Sequence, residues 1–301
     1  MTTVPVTGKP HVPVNEAAGI LFTMACMAIM AFVFTAGKIL DGSVHAIQIM
    51  FLRYFSAFVF LLVVTFLRGG LRQHHTPRPL HHLIRACFGA CGGGGAIFAA
   101  THMPIADAAS IGMLKGMLTV VLAVFILKEV VSGRHWLAAI LCAAGGAVVV
   151  FGQGSTLSFE GYGWAASIAF FSAITMAMET ICIRQLALKE RPFTMTFYVS
   201  GIGSFILAVP AWLVWHTPNW QAFLFLLALG PLAALAQTLN AHAYSIARAS
   251  LLAPVGYITI VLSAIWGYFL FAEIPGISTW LGAALIAAGG IWLSRLSMRP
   301  A

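Results

Sequence analysis

The sequence predicts an all-α integral membrane protein with ten transmembrane helices, arranged as two inverted repeats of five helices. Three observations support this fold class. Sixty per cent of the 301 residues are apolar and only 8% are charged, whereas a soluble domain carries about 25% charged residues. Apolar runs of about 20 residues, the length that crosses a bilayer, follow one another along most of the chain. Two segments 144 residues apart are closely similar.

The composition also excludes several classes of protein. A net charge of +8 would indicate nucleic-acid binding in a polar chain. Here the basic residues lie in short loops between apolar runs, so membrane topology explains them better. A cytosolic enzyme, a nucleic-acid-binding domain and a disordered protein are excluded. The cysteines lie in apolar runs without a CxxC motif, so we expect neither disulfides nor a metal site, and no cofactor.

Ten spanning helices are predicted, at 17–38, 46–67, 83–101, 106–127, 136–152, 162–183, 194–215, 221–244, 250–271 and 279–296. The longest connections are the arm 1–15, the loop 68–82 and the segment 153–161. The runs are too long for barrel strands and do not alternate.

The basic residues orient these spans. Thirteen of the 16 Lys and Arg residues fall on the side of the N-terminus, Arg85 among them, and Lys38 alone falls on the other side. Because cytoplasmic loops carry the excess of positive charge, both termini are predicted to be cytoplasmic. A multi-pass protein of the bacterial cytoplasmic (inner) membrane is expected.

An internal repeat divides the chain. Residues 136–146 (WLAAILCAAGG) and 280–290 (WLGAALIAAGG) are identical at eight of eleven positions, and the same offset pairs Glu129 with Glu273. We therefore predict a cytoplasmic arm (1–15) followed by repeats over 16–153 and 154–298.

The two repeats are predicted to have opposite orientations. Since five is odd, the second copy enters the membrane from the opposite side. Inverted repeats are typical of secondary transporters, in which a central site faces each side in turn.

Several motifs resemble those of a known family. They are FLRY at 51–54, the end of helix four at Leu127-Lys128-Glu129, and the end of helix nine at Phe271-Ala272-Glu273. With ten helices in two halves, nearly the whole chain resembles the drug/metabolite transporter superfamily, and within it the EamA-type bacterial permeases. The resemblance implies transport of small organic solutes such as amino acids, nucleosides, vitamins or sugars, often outward. Lys115 departs from the family, which often has neutral residues or proline there.

Three strong charges are predicted to lie within spans, where a charge at the bilayer centre costs about 2.5–3.5 kcal/mol. Lys115 is a candidate to bind a substrate carboxylate or to couple protons; the alternative is a structural lysine paired with a carboxylate. Its FLRY position in the resembled family assigns Arg53 to gating or structure; a snorkelling side chain and a direct substrate contact are the alternatives. Glu179 is a candidate substrate contact or proton carrier, paired with Lys115, Arg53 or Arg184, and an interfacial ion pair is the alternative.

Polar groups on helices eight and nine complete the candidate site. Gln237, Asn240 and Tyr244 form one stripe, which lines a cavity or joins helices. Pro254 interrupts helix nine, and Tyr257 follows it. Interrupted segments at corresponding places in two halves indicate a binding site, so Tyr257 is predicted to lie near Lys115.

Other features are less specific. Gly93, in the run Gly92–Gly95, is assigned to close helix packing, with a hinge as the alternative. Met27, Phe34 and Trp164 are candidate cavity walls. The loop 68–82 carries four histidines whose spacing fits no zinc site, so a solvated basic loop beside anionic lipid is predicted.

The leading interpretation is a secondary transporter of small organic solutes, amino acids or related metabolites, working by alternating access, with export as the expected direction. A flippase or exporter of lipids or drug-like molecules with the same fold is the alternative. An intramembrane enzyme lacks paired catalytic groups and a channel lacks a filter motif. The expected partners are a small-molecule substrate and the lipid bilayer, without nucleic acid; a monomer and an oligomer both fit, and proton coupling and facilitated exchange stay open.

Overall fold

The computed structural model describes residues 15–34, 39–40, 43–102, 111–152, 163–272, 274 and 276–297. Within this part of the chain it contains eleven α-helices and one short 3-10 helix (Leu71–His74). The α-helices are α1 (Glu16–Phe34), α2 (Ala46–Leu67), α3 (Pro79–His102), α4 (Leu114–Leu127), α5 (Gly133–Gly152), α6 (Gly163–Ala187), α7 (Pro192–Leu213), α8 (Trp220–Ile246), α9 (Ala249–Val255), α10 (Ile258–Phe271) and α11 (Ile277–Ser297).

These helices confirm the predicted fold class. Seven segments are long and apolar enough to cross a membrane, one of them being α9 and α10 taken together. Helices α4 and α11 supply two shorter apolar segments, and α3 is the tenth. The ninth span is divided in two, at Gly256 and Tyr257, two residues after Pro254.

Local sequence explains where several helices begin. The side chain of Asn219 accepts a 2.7 Å hydrogen bond from the amide of Ala222 and caps α8, while His45 caps α2 through the amide of Ile47. Pro79 and Pro192 are the first residues of α3 and α7, where a missing N–H leaves no helical hydrogen bond unmade. Helix α3 therefore begins four residues before its predicted start, so Arg85 lies in its second turn.

The two halves share their local backbone. Helices α4 and α10 start at residues 114 and 258 and end at 127 and 271, so both ends are 144 residues apart. Each ends on a residue in the left-handed conformation, Lys128 with φ of 55° and Ala272 with φ of 54°. Non-glycine residues rarely adopt this conformation. A matched pair at the predicted offset is therefore strong support for duplication.

Packing of α5 on α11 shows how the halves are related. A Cβ atom added to Gly145 would lie 2.7 Å from the carbonyl oxygen of Gly282, and one added to Gly289 would lie 3.0 Å from that of Ala138. Adding 144 converts Ala138 to Gly282 and Gly145 to Gly289, so the two contacts are equivalent, as in a two-fold interface. Gly145, the later residue of α5, thus contacts Gly282, the earlier residue of α11, and Ala138 contacts Gly289. The helices are thus antiparallel, which confirms the inverted arrangement.

Candidate functional site

Arg85 is the most deeply buried Arg or Lys side chain among the described residues. It lies six residues after the start of α3, about 9 Å along the helix, and has no exposed surface. Its guanidinium donates to the carbonyl oxygen of Met195 at 3.2 Å and to Oε1 of Gln237 at 3.4 Å. Arg85 was predicted to belong with the cytoplasmic basic residues, at the start of the span 83–101. Pro79, a preferred first helical residue, was the signal that could have placed Arg85 one turn further into the helix.

Glu179, on α6, is the acidic group of this centre. Its carboxylate lies against Gly89, where an added Cβ would be 3.1 Å from the carboxylate. Gly89 is one turn after Arg85 on the same face of α3, and Glu179 is the first of the charges that act on Arg85. Glu179 forms no ion pair within 4.0 Å among the described residues. Arg184, one of its predicted partners, instead lies 3.7 Å from Glu129.

A small cavity adjoins this pair, between helices of the two halves. Its volume is about 10 Å³, close to what one water molecule needs. Gln237 contributes to the cavity wall and also accepts the hydrogen bond from Arg85, so it connects the cavity with Arg85. Arg53 lies 5.1 Å from the ring centre of Tyr54. The lining residues are Met30, Arg53, Tyr54, Ala57, Ser200, Ala233, Ala234 and Gln237.

Lys115 lies half-buried on α4. Its charge acts on the thiol of Cys26, and its carbonyl oxygen accepts from the hydroxyl of Thr119 at 2.8 Å. Lys115 has no ion pair in the described part of the chain. Its predicted neighbour Tyr257 contacts the residues on either side: its hydroxyl donates to the carbonyl oxygen of Met113 at 2.7 Å, and its ring covers Gly116.

Other predicted site residues occupy different surroundings. Asn240 is half-buried on α8, Tyr244 is buried with its carbonyl oxygen bound to Arg184, and Met27 accepts from the hydroxyl of Thr259. Trp164 is 52% exposed at the start of α6, against the rings of Phe98 and His102. Phe34 ends α1, and its side chain lies outside the described structure.

The glycine run of α3 is a packing surface. Helix α3 continues without a break through Gly92–Gly95. A Cβ on Gly92 would lie 2.5 Å from Cγ of Met176, and one on Gly93 would lie 2.9 Å from Cε of Met50. The hydroxyl of Ser172 donates to the carbonyl oxygen of Gly92 at 2.5 Å. Close packing, the favoured prediction, agrees with these contacts.

Glu129 follows α4, at one end of the bundle. The loop between α6 and α7 and the loop between α8 and α9 lie at the same end. The Glu129 carboxylate accepts from the amides of Ala249 and Ser250 at 3.0 and 2.9 Å and from the hydroxyl of Ser250 at 2.6 Å. A carboxylate at a helix N-terminus is electrostatically favourable. Because Arg184 also donates to Tyr244, Glu129 joins the first half of the chain to α6, α8 and α9 of the second.

Part of the loop 68–82 is buried, which corrects the prediction of a solvated loop. His74 is 3% exposed and lies between the hydroxyls of Thr65 and Thr194, at 2.8 and 3.2 Å. His82 has no exposed surface and pairs with Glu190 at 2.7 Å. All four histidines of the loop were predicted to be solvated, whereas only His75 and His81 of the four are exposed.

A larger depression of about 360 Å³ lies at the opposite end of the bundle, lined by Trp215, Thr217, Pro218, Trp220 and Phe223. It contains no charged group. Buried Arg85 and half-buried Glu179 and Gln237 therefore define the candidate site.

The sequence model of the EamA-like transporter family matches residues 17–151 and again 163–295. The chain belongs to this family. It is therefore a membrane transporter of small solutes and not an enzyme. The two matches coincide with the two sets of helices described above. A solved structure superposes with a TM-score of 0.79, covering 95% of this chain and 100% of its own, at 20% identity, which shows the fold alone.

Relatives of this chain are named for different substrates. The chain is 29% identical over 259 residues to an S-adenosylmethionine uptake transporter of Rickettsia felis, covering 85% of each chain. It is 28% identical over 261 residues to a pseudopaline exporter of Pseudomonas aeruginosa, covering 85% of this chain and 88% of the relative. A riboflavin transporter of Rhizobium johnstonii is 32% identical over 248 residues, covering 80% and 79%.

Proposed function

We propose that this EamA-family protein is a secondary transporter of amino acids or related metabolites, which cross the cytoplasmic membrane by alternating access. The reciprocal, antiparallel contacts of α5 and α11 carry the proposal. Two halves related in this way exchange conformations, so a site between them opens to each side in turn. The buried polar groups around Gln237 lie between helices of the two halves.

The relatives support transport of small solutes without deciding its direction. One is named for uptake and another for export, and alternating access is reversible. Export and cytoplasmic termini remain predictions from the sequence. S-adenosylmethionine, for which one relative is named, contains an amino-acid group, which supports amino-acid-like substrates for this chain.

Lys115 is proposed as a cation that attracts substrate carboxylates into the central region, together with Gln237, Asn240, Tyr244 and Tyr257 as polar contacts. Its charge lies in a low-dielectric setting, where fields act over longer distances than in water. Arg53, Gly93 and Pro254 are proposed to act in gating or packing, and Met27, Phe34 and Trp164 as wall residues.

Counterflow into liposomes containing purified protein tests the proposal. The solutes are S-adenosylmethionine, methionine, riboflavin and uridine, each measured with and without a pH gradient. We expect the amino-acid solutes to exchange, and Lys115→Ala to abolish their movement while thermal unfolding stays unchanged. Undiminished counterflow by Lys115→Ala contradicts the role of Lys115. Failure of all four solutes in the wild-type protein contradicts the proposed transport class.

A further inference from the structure

Arg85 carries a buried positive charge without a carboxylate in contact. Within the described residues, its Nε has no hydrogen-bond partner, and its other two contacts are neutral oxygens. A buried charge is expensive unless it is paired. Two carboxylates on neighbouring loops are engaged elsewhere: Glu190 binds His82 at 2.7 Å, and Glu129 caps α9. The guanidinium therefore retains the capacity to bind an anion.

Glu179 carries a negative charge without a cation in contact, among the described residues. Its carboxylate lies one helical turn from Arg85, over Gly89, and pairs with no cation among the residues that the structure describes. Cβ atoms one turn apart on a helix face are about 5–6 Å apart, so the Glu179 carboxylate lies about one turn from the point where the Arg85 side chain leaves α3. Its negative charge acts on Arg85, yet the two groups form no ion pair within 4.0 Å. An inserted molecule with both charges can satisfy them together.

We propose that Arg85 and Glu179 form a subsite for a zwitterionic α-amino acid group, with Arg85 binding its carboxylate and Glu179 its ammonium. The inference rests on the proposed function and identifies which groups of the substrate are bound, and which residues bind them. Both charges of such a group are attached to one carbon atom, so one group supplies an anion for Arg85 and a cation for the carboxylate that lies over Gly89.

Gln237 provides the route from the cavity to this subsite. Its side chain lines the cavity, and its 3.4 Å contact with Arg85 is long for a hydrogen bond. A substrate carboxylate makes charge-assisted bonds to guanidinium, which are about twice as strong as neutral ones. The carboxylate therefore displaces the Gln237 oxygen. The remainder of the substrate then lies on the side of Met30 and Tyr54.

Binding of methionine to the purified protein in nanodiscs tests the subsite. Methioninol lacks the carboxylate and N-acetylmethionine lacks the ammonium, so each compound removes one of the two proposed contacts. We expect the wild-type protein to bind methionine about tenfold to a hundredfold more tightly than either analogue, the range for one charged hydrogen bond. Arg85→Gln is expected to bind methioninol as well as methionine, and Glu179→Gln to bind N-acetylmethionine as well as methionine.

Controls separate the subsite from folding and from the transport class. Lys189→Gln removes an exposed positive charge and should bind like the wild type. If Arg85→Gln unfolds, Arg85→Lys keeps the charge and should retain discrimination against methioninol while binding methionine more weakly. Equal affinity of the wild type for all three compounds, or no binding of any, overturns the subsite. Counterflow of riboflavin or uridine by the same wild-type protein would then leave the transport class standing.

Discussion

The hydroxyl of Tyr257 donates a 2.7 Å hydrogen bond to the carbonyl oxygen of Met113, and the two residues occupy equivalent positions 144 residues apart. Met113 immediately precedes α4 and Tyr257 immediately precedes α10. The interruptions of the fourth and ninth spans therefore meet each other. Contact between equivalent positions places the pseudo-two-fold axis close to this bond, beside Gly116 and Lys115.

Removal of the Tyr257 hydroxyl tests this junction. We expect Tyr257→Phe to lower the free energy of unfolding by about 1 kcal/mol, since the Met113 carbonyl loses a hydrogen bond, and counterflow to slow. Thermal unfolding in detergent and counterflow measure the two effects. Tyr268→Phe is the control, because Tyr268 is 51% exposed. Equal stability of the two variants would contradict a structural role for the bond.

Two glycines of α3 give a matched test of packing. Gly92→Ala places a Cβ 2.5 Å from Met176, whereas no described atom lies within 4 Å of a Cβ on Gly94. Overpacking costs about 1–3 kcal/mol, while alanine in a helix is favoured over glycine by about 0.5–1 kcal/mol. We expect thermal unfolding at a lower temperature for Gly92→Ala and at an equal or higher one for Gly94→Ala. The reverse order would contradict the packing of α3 on α6.

Glu129 supplies a third test, at the end of the bundle that it closes. Glu129→Gln keeps the shape of the side chain but removes its charge from the N-terminus of α9 and from Arg184. We expect a loss of about 1–2 kcal/mol in stability, which combines the capping and helix-dipole contributions. Chemical unfolding measures it, with the exposed Arg134→Gln as a control. A loss no greater than that of the control would show that the cap contributes little.

His74 predicts a dependence of stability on pH. Burial lowers the pKa of His74 below its ordinary value of 6.5, so the folded protein keeps the ring neutral. The unfolded chain binds the proton first as the pH falls. The contribution of neutral His74 is thus complete above about pH 6.5 and is lost below it.

Thermal unfolding between pH 7.5 and 5.5 measures this effect. The unfolding temperature of the wild type should fall more steeply towards low pH than that of His74→Gln. His75→Gln, which changes an exposed neighbour, should follow the wild-type curve. Parallel curves for the wild type and His74→Gln would contradict the buried neutral ring.

The spans, the repeat and the inverted arrangement could all be predicted from the residues alone. Apolar length decides whether a segment crosses the bilayer, and the match of WLAAILCAAGG with WLGAALIAAGG is visible in the chain itself. Even the interruption of helix nine was indicated by Pro254. Each of these features depends on residues near one another in sequence, or on direct similarity between two segments.

The partners of the polar groups depended on how the helices pack. A start of α3 four residues earlier than predicted placed Arg85 one turn further along the helix, and the contact between α3 and α6 brought the Glu179 carboxylate over Gly89. Burial likewise distinguished His74 and His82 from their exposed neighbours. Which helix faces meet, and how deeply a charge lies, follow from contacts between residues far apart in the chain, for which local patterns carry no signal.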